Sequence, residues 1–258
     1  MRIQAGALAL AAVLMTGGAP ARASSPSPAA SAGIAAAVAD SRRPAADRAR
    51  DADRKPAEML AFAGVKPGQK VADLFPGGGY FTRLFSGAVG PTGAVYAVTF
   101  PYMTAKMPPR PGRVTPPPVS AEPGRGNVRE VQATEAGLGL PAPVDIAFTA
   151  QNYHDVLLFV GPEGVAAFNK AVFAALKPGG TYVVLDHAGA PGLDAAGIRA
   201  VHRIDPAQVR REVTAAGFVF DGESRAVRNP ADPKTANVFD PAIRGHTDQF
   251  VLRFRKPR

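Results

Sequence analysis

The chain of 258 residues contains no cysteine. A thiolate nucleophile, a thiolate zinc site and a disulfide framework are therefore all excluded, and any chemistry falls to histidine, carboxylates, amides and phenols. Only four histidines are present. His154 sits in the run Asn152-Tyr153-His154-Asp155, His187 follows Asp186, and His202 precedes Arg203 and Asp205. Imidazole titrates near neutrality, so a histidine in a cleft is a candidate proton acceptor. His154 is the first choice for that role, with Tyr153 and Asp155 as its catalytic companions. Two imidazoles and two carboxylates are also a donor set for zinc, manganese or iron, which makes His154, Asp155, Asp186 and His187 an alternative metal site. No His-x-x-x-His pair is present to support that alternative, and no metal is expected. The same residues also read as hydrogen-bonded structure lining a pocket, and His246 reads as structural.

A second constellation is Asp73 followed by Pro76-Gly77-Gly78-Gly79. Glycines let a backbone approach a ligand closely, and a helix amino terminus offers free N–H groups. Such a loop can cradle a phosphate or the carboxylate of an amino-acid-like cofactor. It is not a dinucleotide fingerprint, which needs G-x-G-x-x-G, and Tyr80-Phe81 stands where a phosphate loop needs Lys-Ser/Thr.

These residues need a frame. Residues 70–75 read as a short buried strand, 80–89 as a helix with apolar groups on one face, and 94–100 as a second strand. Further strands are expected at 127–132, 144–150, 181–186, 218–220 and 249–254. Helices are expected at 163–176 and from Pro206 to Gly217, the latter opened by a capping Asp205 and a first-turn Pro. Helices also fit the mixed charged and apolar stretch 41–63. Strand–glycine loop–helix–strand units imply a parallel sheet with helices across it, whose ligands bind at the carboxyl ends of the strands. The proline-rich insertion 101–126 interrupts the alternation. Proline there disfavours helix and central strand, so an extended surface segment is expected, acting either as an apolar lid over the site or as an unremarkable loop.

At the amino end, residues 1–23 read as a secretory signal peptide: Arg2, a short apolar run, then Ala21-Arg22-Ala23 as a small-x-small cleavage signature. The expected location is thus outside the cytoplasm, periplasmic or secreted. Residues 24–40 read as a flexible leader, and 41–258 as one domain carrying the 101–126 insertion. No later stretch reads as a membrane span, so no stable membrane insertion is expected after cleavage. The net charge of +9 follows from arginine-rich usage. Arg253, Arg255, Lys256 and Arg258 read as the solvated face of an edge strand, and no nucleic-acid partner is expected.

The run 71–85, Val-Ala-Asp-Leu-Phe-Pro-Gly-Gly-Gly-Tyr-Phe-Thr-Arg-Leu-Phe, resembles motif I of the class I S-adenosylmethionine-dependent methyltransferases. Residues 90–98, 144–148 and 176–186 continue the resemblance, which spans roughly residues 45–257. It is closest to exported predicted methyltransferases of unknown substrate, which are similar in Asn152–Asp155, in His202–Asp205 and in Arg244–Asp248. The resemblance implies an α/β fold: a Rossmann-like, doubly wound, seven-stranded sheet, mostly parallel with an antiparallel last strand. It also implies S-adenosyl-L-methionine as cofactor, held by Asp73, Gly77, Gly78 and Gly79 with Thr99, Thr134 and Asn152. Phe75 replaces the first motif glycine, and Thr99 stands where the family carries an acidic residue for the ribose hydroxyls. Three readings follow: a methyltransferase acting on a small molecule, a non-catalytic exported ligand-binding protein on the same scaffold, or a metal-dependent enzyme.

Overall fold

The computed structural model describes residues 27–106 and 117–258; the expected signal segment 1–23 and the middle of the proline-rich insertion, including Met107, lie outside them. Seven strands form one sheet: β1 (Lys70–Leu74), β2 (Ala94–Thr99), β3 (Val128–Gln132), β4 (Val144–Ala150), β5 (Leu176–His187), β6 (Val219–Ser224) and β7 (Gln249–Arg255). Their spatial order is β3-β2-β1-β4-β5-β7-β6, parallel throughout except that β7 runs antiparallel to both of its neighbours. The fold expected from the sequence is the one observed.

Successive residues of the central strands feed two cores. Ala72, Leu74, Tyr96, Val98, Tyr182 and Val184 pack on one face of the sheet. Val71, Val95, Ala97, Val183 and Leu185 pack on the other. This alternation is the pleat of a sheet covered on both sides, which is why these strands read as continuous apolar runs. One core takes in α7 (Tyr153–Ala175), α8 (Ala195–Val201) and α9 (Pro206–Ala215). The other takes in α1 (Pro28–Ala39), α4 (Pro56–Ala63) and α5 (Tyr80–Val89). The short helices α2 (Ala45–Arg48) and α3 (Asp51–Arg54) lead into α4.

Several expectations are corrected. The supposed flexible leader contains α1, capped by Ser27 and burying Ala30, Ile34 and Ala37 in a stripe of helical period. Small residues let α1 approach α5 closely: a Cβ on Gly87 would lie 2.9 Å from that of Ala37. The described flanks of the insertion are not wholly extended, since Pro101 opens the single helical turn α6 (Pro101–Thr104), the one helical position where proline costs nothing. Helix α7 is long and apolar enough to cross a membrane by length and composition. It is broken by Gly161, at φ 68°, with Pro162 following, and Val165, Phe168 and Val172 lie in the core, so it is an interior helix here. Helix α8 is an addition that the sequence pattern does not reveal.

The basic carboxyl terminus is a solvated face only in part: Arg255 and Arg258 are exposed, but β7 lies between β5 and β6 and is not an edge strand. Arg253 is buried, stacks at 4.7 Å on Phe62 and donates to the Phe62 carbonyl. Lys256 donates to the Phe173 and Leu176 carbonyls, neutralising the end of α7. Arg255 pairs with Asp221.

Candidate functional site

Strands β1 and β4 are neighbours from which the chain winds outward in opposite directions, so the crevice at their carboxyl ends is the topological switch point of the sheet. The loop Phe75–Gly79 leaves β1 there, and Gln151-Asn152 leaves β4. Between them lies a cavity of about 190 Å³ whose lining includes Arg54, Asp73, Gly77, Gly78, Tyr80 and Asn152.

Each of these side chains is positioned by a local cause. Asp73 points to the α5 side of β1, where Thr82 Oγ1 donates to its carboxylate at 2.6 Å. Burial raises its pKa to about 7 against that hydrogen bond and the Arg54 charge, which both lower it. Gly77 and Gly78 face open space where a side chain would project. Gly79 serves a different purpose. At φ 82° it caps α5, and a Cβ there would meet Val119 at 2.2 Å. It packs the start of α5 against the flank of the insertion and does not line the cavity.

Arg54, which sequence reasoning does not single out, brings a cation into the site. Its guanidinium stacks on Tyr80 at 4.6 Å and on Phe81 at 5.3 Å, and it donates to Gln151 Oε1. Burial lowers its pKa to about 10, still leaving it charged at neutrality. Arg50 also lines the cavity and pairs with Asp47. Charged residues interleaved among the helices of 41–63 are the only sequence signal for this.

A second cavity, of about 280 Å³, is lined by Phe100, Tyr102, Met103, Thr134, Glu135 and Phe168, among others. Thr134 thus borders a cavity, and Met103 brings the flank of the insertion into the same lining. Phe75 borders the first cavity and Phe100 the second, and their rings stack at 4.2 Å. Phe75 adopts φ 57°, a left-handed conformation that glycine adopts freely and phenylalanine does not. The loop therefore keeps the backbone shape of a glycine at this position. Thr99 does not join either cavity: it is exposed, and its hydroxyl donates to the Val131 carbonyl at 3.3 Å.

The histidines form a separate cluster past the end of β4. Asp186, fully buried on β5, accepts from the backbone N–H groups of His154 and His187 and lies 2.8 Å from His154 Nδ1. The His154 pKa is shifted by burial downward and by the Asp186 carboxylate upward, with a net rise. Its Nε2 faces Asp155 Oδ1 at 3.6 Å. His202 Nδ1 lies 3.8 Å from the same Asp155 oxygen.

The four residues first grouped as a metal set do not converge. Asp186 serves His154 from behind, and His187 turns to Thr247 Oγ1 at 2.7 Å. Burial lowers the His187 pKa to about 4, so it is neutral. Tyr153 is also corrected. It is fully buried, accepts from Asn169 and donates to Glu212, and belongs to the core under α9. His246 is largely exposed and lies 3.4 Å from Asp53. A larger groove of about 690 Å³ lies at the amino ends of β2 and β3, away from this site.

No protein-family model matches the chain, and no curated protein is a match to it. Solved structures do match. A SAM-dependent methyltransferase from Aquifex aeolicus superposes with TM-score 0.50 at 18% identity, over 80% of this chain and 92% of that one. The CcbJ methyltransferase from Streptomyces caelestis superposes with TM-score 0.50 at 16% identity, over 81% and 90%. At these identities the likeness establishes the fold.

Proposed function

We propose that the protein is an S-adenosyl-L-methionine-dependent methyltransferase acting on a small molecule. The observation that carries this is the open backbone of Gly77 and Gly78 at the switch point, with the Arg54 cation and the Asp73 carboxyl in the same cavity. The methionine end of the cofactor carries a carboxylate and an ammonium, and this cavity offers a guanidinium, an acid and unshielded backbone for them. The second cavity, with Phe100, Tyr102 and Thr134, has the apolar walls and the few polar groups that an adenine needs. When bound, the cofactor supplies an electrophilic methyl group. The chain's own residues then bind and align, since methyl transfer depends above all on holding donor and acceptor in line. Asn152, in the lining of the first cavity, adds an amide to the groups that would hold the cofactor.

The Phe75–Phe100 pair stands between the two cavities, and Thr99 lacks the acidity for a ribose contact. Those two features favour a second reading, a ligand-binding protein on the same scaffold without turnover. The amino-terminal segment 1–23 supports export for either reading, with the mature chain acting outside the cytoplasm.

Calorimetric titration of the full chain with S-adenosylmethionine and S-adenosylhomocysteine tests the proposal. Saturable heat that Gly77→Val abolishes supports it; no heat at millimolar ligand overturns it. Transfer of a labelled methyl group to any small acceptor then separates the enzyme from the binding protein.

A further inference from the structure

We propose that His154, Asp155 and His202 bind one divalent transition-metal ion. One donor atom from each of the three residues lies within 4.8 Å of the others. Two imidazoles and one carboxylate form the set that suits zinc, manganese or iron(II), and three protein ligands leave positions open for water or substrate.

Three further features fit an ion at this point. His154 is held from behind by a carboxylate. Asp186 engages its Nδ1 and its backbone N–H together, which fixes the ring and directs the Nε2 lone pair outward. A carboxylate on the remote nitrogen is the usual support of a metal-bound histidine. His202 is fixed in place as the left-handed C-cap of α8, at φ 52°, its backbone N–H donating to the Ile198 carbonyl. Phe239 packs on its ring at 5.0 Å. The burial gradient is also that of an open site: His154 is buried, whereas the Asp155 and His202 side chains are 20% and 22% exposed. Bonds of about 2.1 Å would draw the donor atoms to roughly 3–3.4 Å apart, so the present separations need only modest closure.

The ion would lie past the end of β4, at the start of α7 and the end of α8. Its binding does not depend on the methyltransferase reading, and its test uses no cofactor. Cobalt(II) is the probe. Titrated into the chelator-treated full chain, it should give visible d–d bands that saturate at one equivalent and are displaced by zinc(II). His202→Asn, which keeps a residue tolerant of the left-handed conformation, and Asp155→Asn should each weaken binding at least 100-fold. Asp186→Asn should weaken it about 10- to 100-fold through His154, and His246→Gln should leave it unchanged. Circular dichroism verifies the fold of each variant. Failure of the wild-type chain to take up one equivalent overturns the proposal whatever the variants do, as does undiminished binding in His202→Asn.

Discussion

The ring of Phe75 stacks on that of Phe100 at 4.2 Å, closing the space between two cavities at the carboxyl edge of the sheet. Phe75 does so from a backbone conformation that belongs to glycine. Strain and obstruction thus reside in one side chain, and they can be separated.

Replacing Phe75 by alanine or by glycine removes the same ring contacts. Alanine keeps the left-handed penalty and glycine does not, so Phe75→Gly should be more stable than Phe75→Ala by about 1 kcal/mol, the reverse of the order in ordinary strands and helices. Urea unfolding of the two variants decides this. Both should also join the two cavities and raise affinity for S-adenosylmethionine about tenfold, or about 1.4 kcal/mol. Weaker binding in both would mean that the ring serves the ligand and does not obstruct it.

Arg54 is expected to recognise a carboxylate. Arg54→Gln should weaken S-adenosylmethionine by about 10- to 100-fold, the size of a charge-assisted, partly desolvated pair. Methylthioadenosine, which lacks the amino-acid end, should bind both forms equally. An equal loss for both ligands in competition calorimetry would place Arg54 in the structure of the site and not in recognition.

Asp73 should make stability depend on pH. Its folded pKa of about 7 lies above the ordinary value of 3.8. The folded state therefore holds this proton more tightly, and the contribution of Asp73 to stability is fully present below about pH 4 and is lost as pH rises to about 7. The shift sets an upper bound of about 4 kcal/mol on this contribution. Asp73→Asn should lose the slope, so that its stability relative to wild type improves between about pH 4.5 and about pH 8 in denaturant titrations. A constant difference at the two pH values would show that Asp73 is ionised throughout.

Helix α1 should be a docked part of the fold. Gly87→Val forces a side chain against Ala37, where even a Cβ would stand at 2.9 Å. Overpacking of this kind costs about 1–3 kcal/mol. Amide exchange should show α1 losing protection in this variant while β1 and β4 keep theirs; protection unchanged in α1 would mean that the two helices can slide apart without cost.

Much of this molecule is legible in its sequence. The apolar runs at 70–75, 94–100 and 144–150 mark strands within a residue or so, because strands buried on both faces leave little choice of composition. The Pro76–Gly79 loop is legible as the turn between a buried strand and an amphipathic helix, and Gly77 and Gly78 border a cavity there. The leader conceals its helix because alanine writes a buried stripe faintly: only Ile34 stands out among the inward residues of α1. The expectation for Tyr153 fails through direction, since neighbours on a helix point to different sides and Tyr153 turns to Glu212 while His154 turns to Asp186.

What the sequence determined by itself is the sheet, its crossovers and the glycine loop at the carboxyl end of its first strand, because these depend on local periodicity and turn chemistry. Only the tertiary structure decided which side chains share that place. Arg54 reaches Gln151 across 97 residues of chain, and His202 meets Asp155 through a helix that the pattern does not disclose. Such meetings are set by how helices and connections pack over the strand ends, and no spacing within a single segment encodes them.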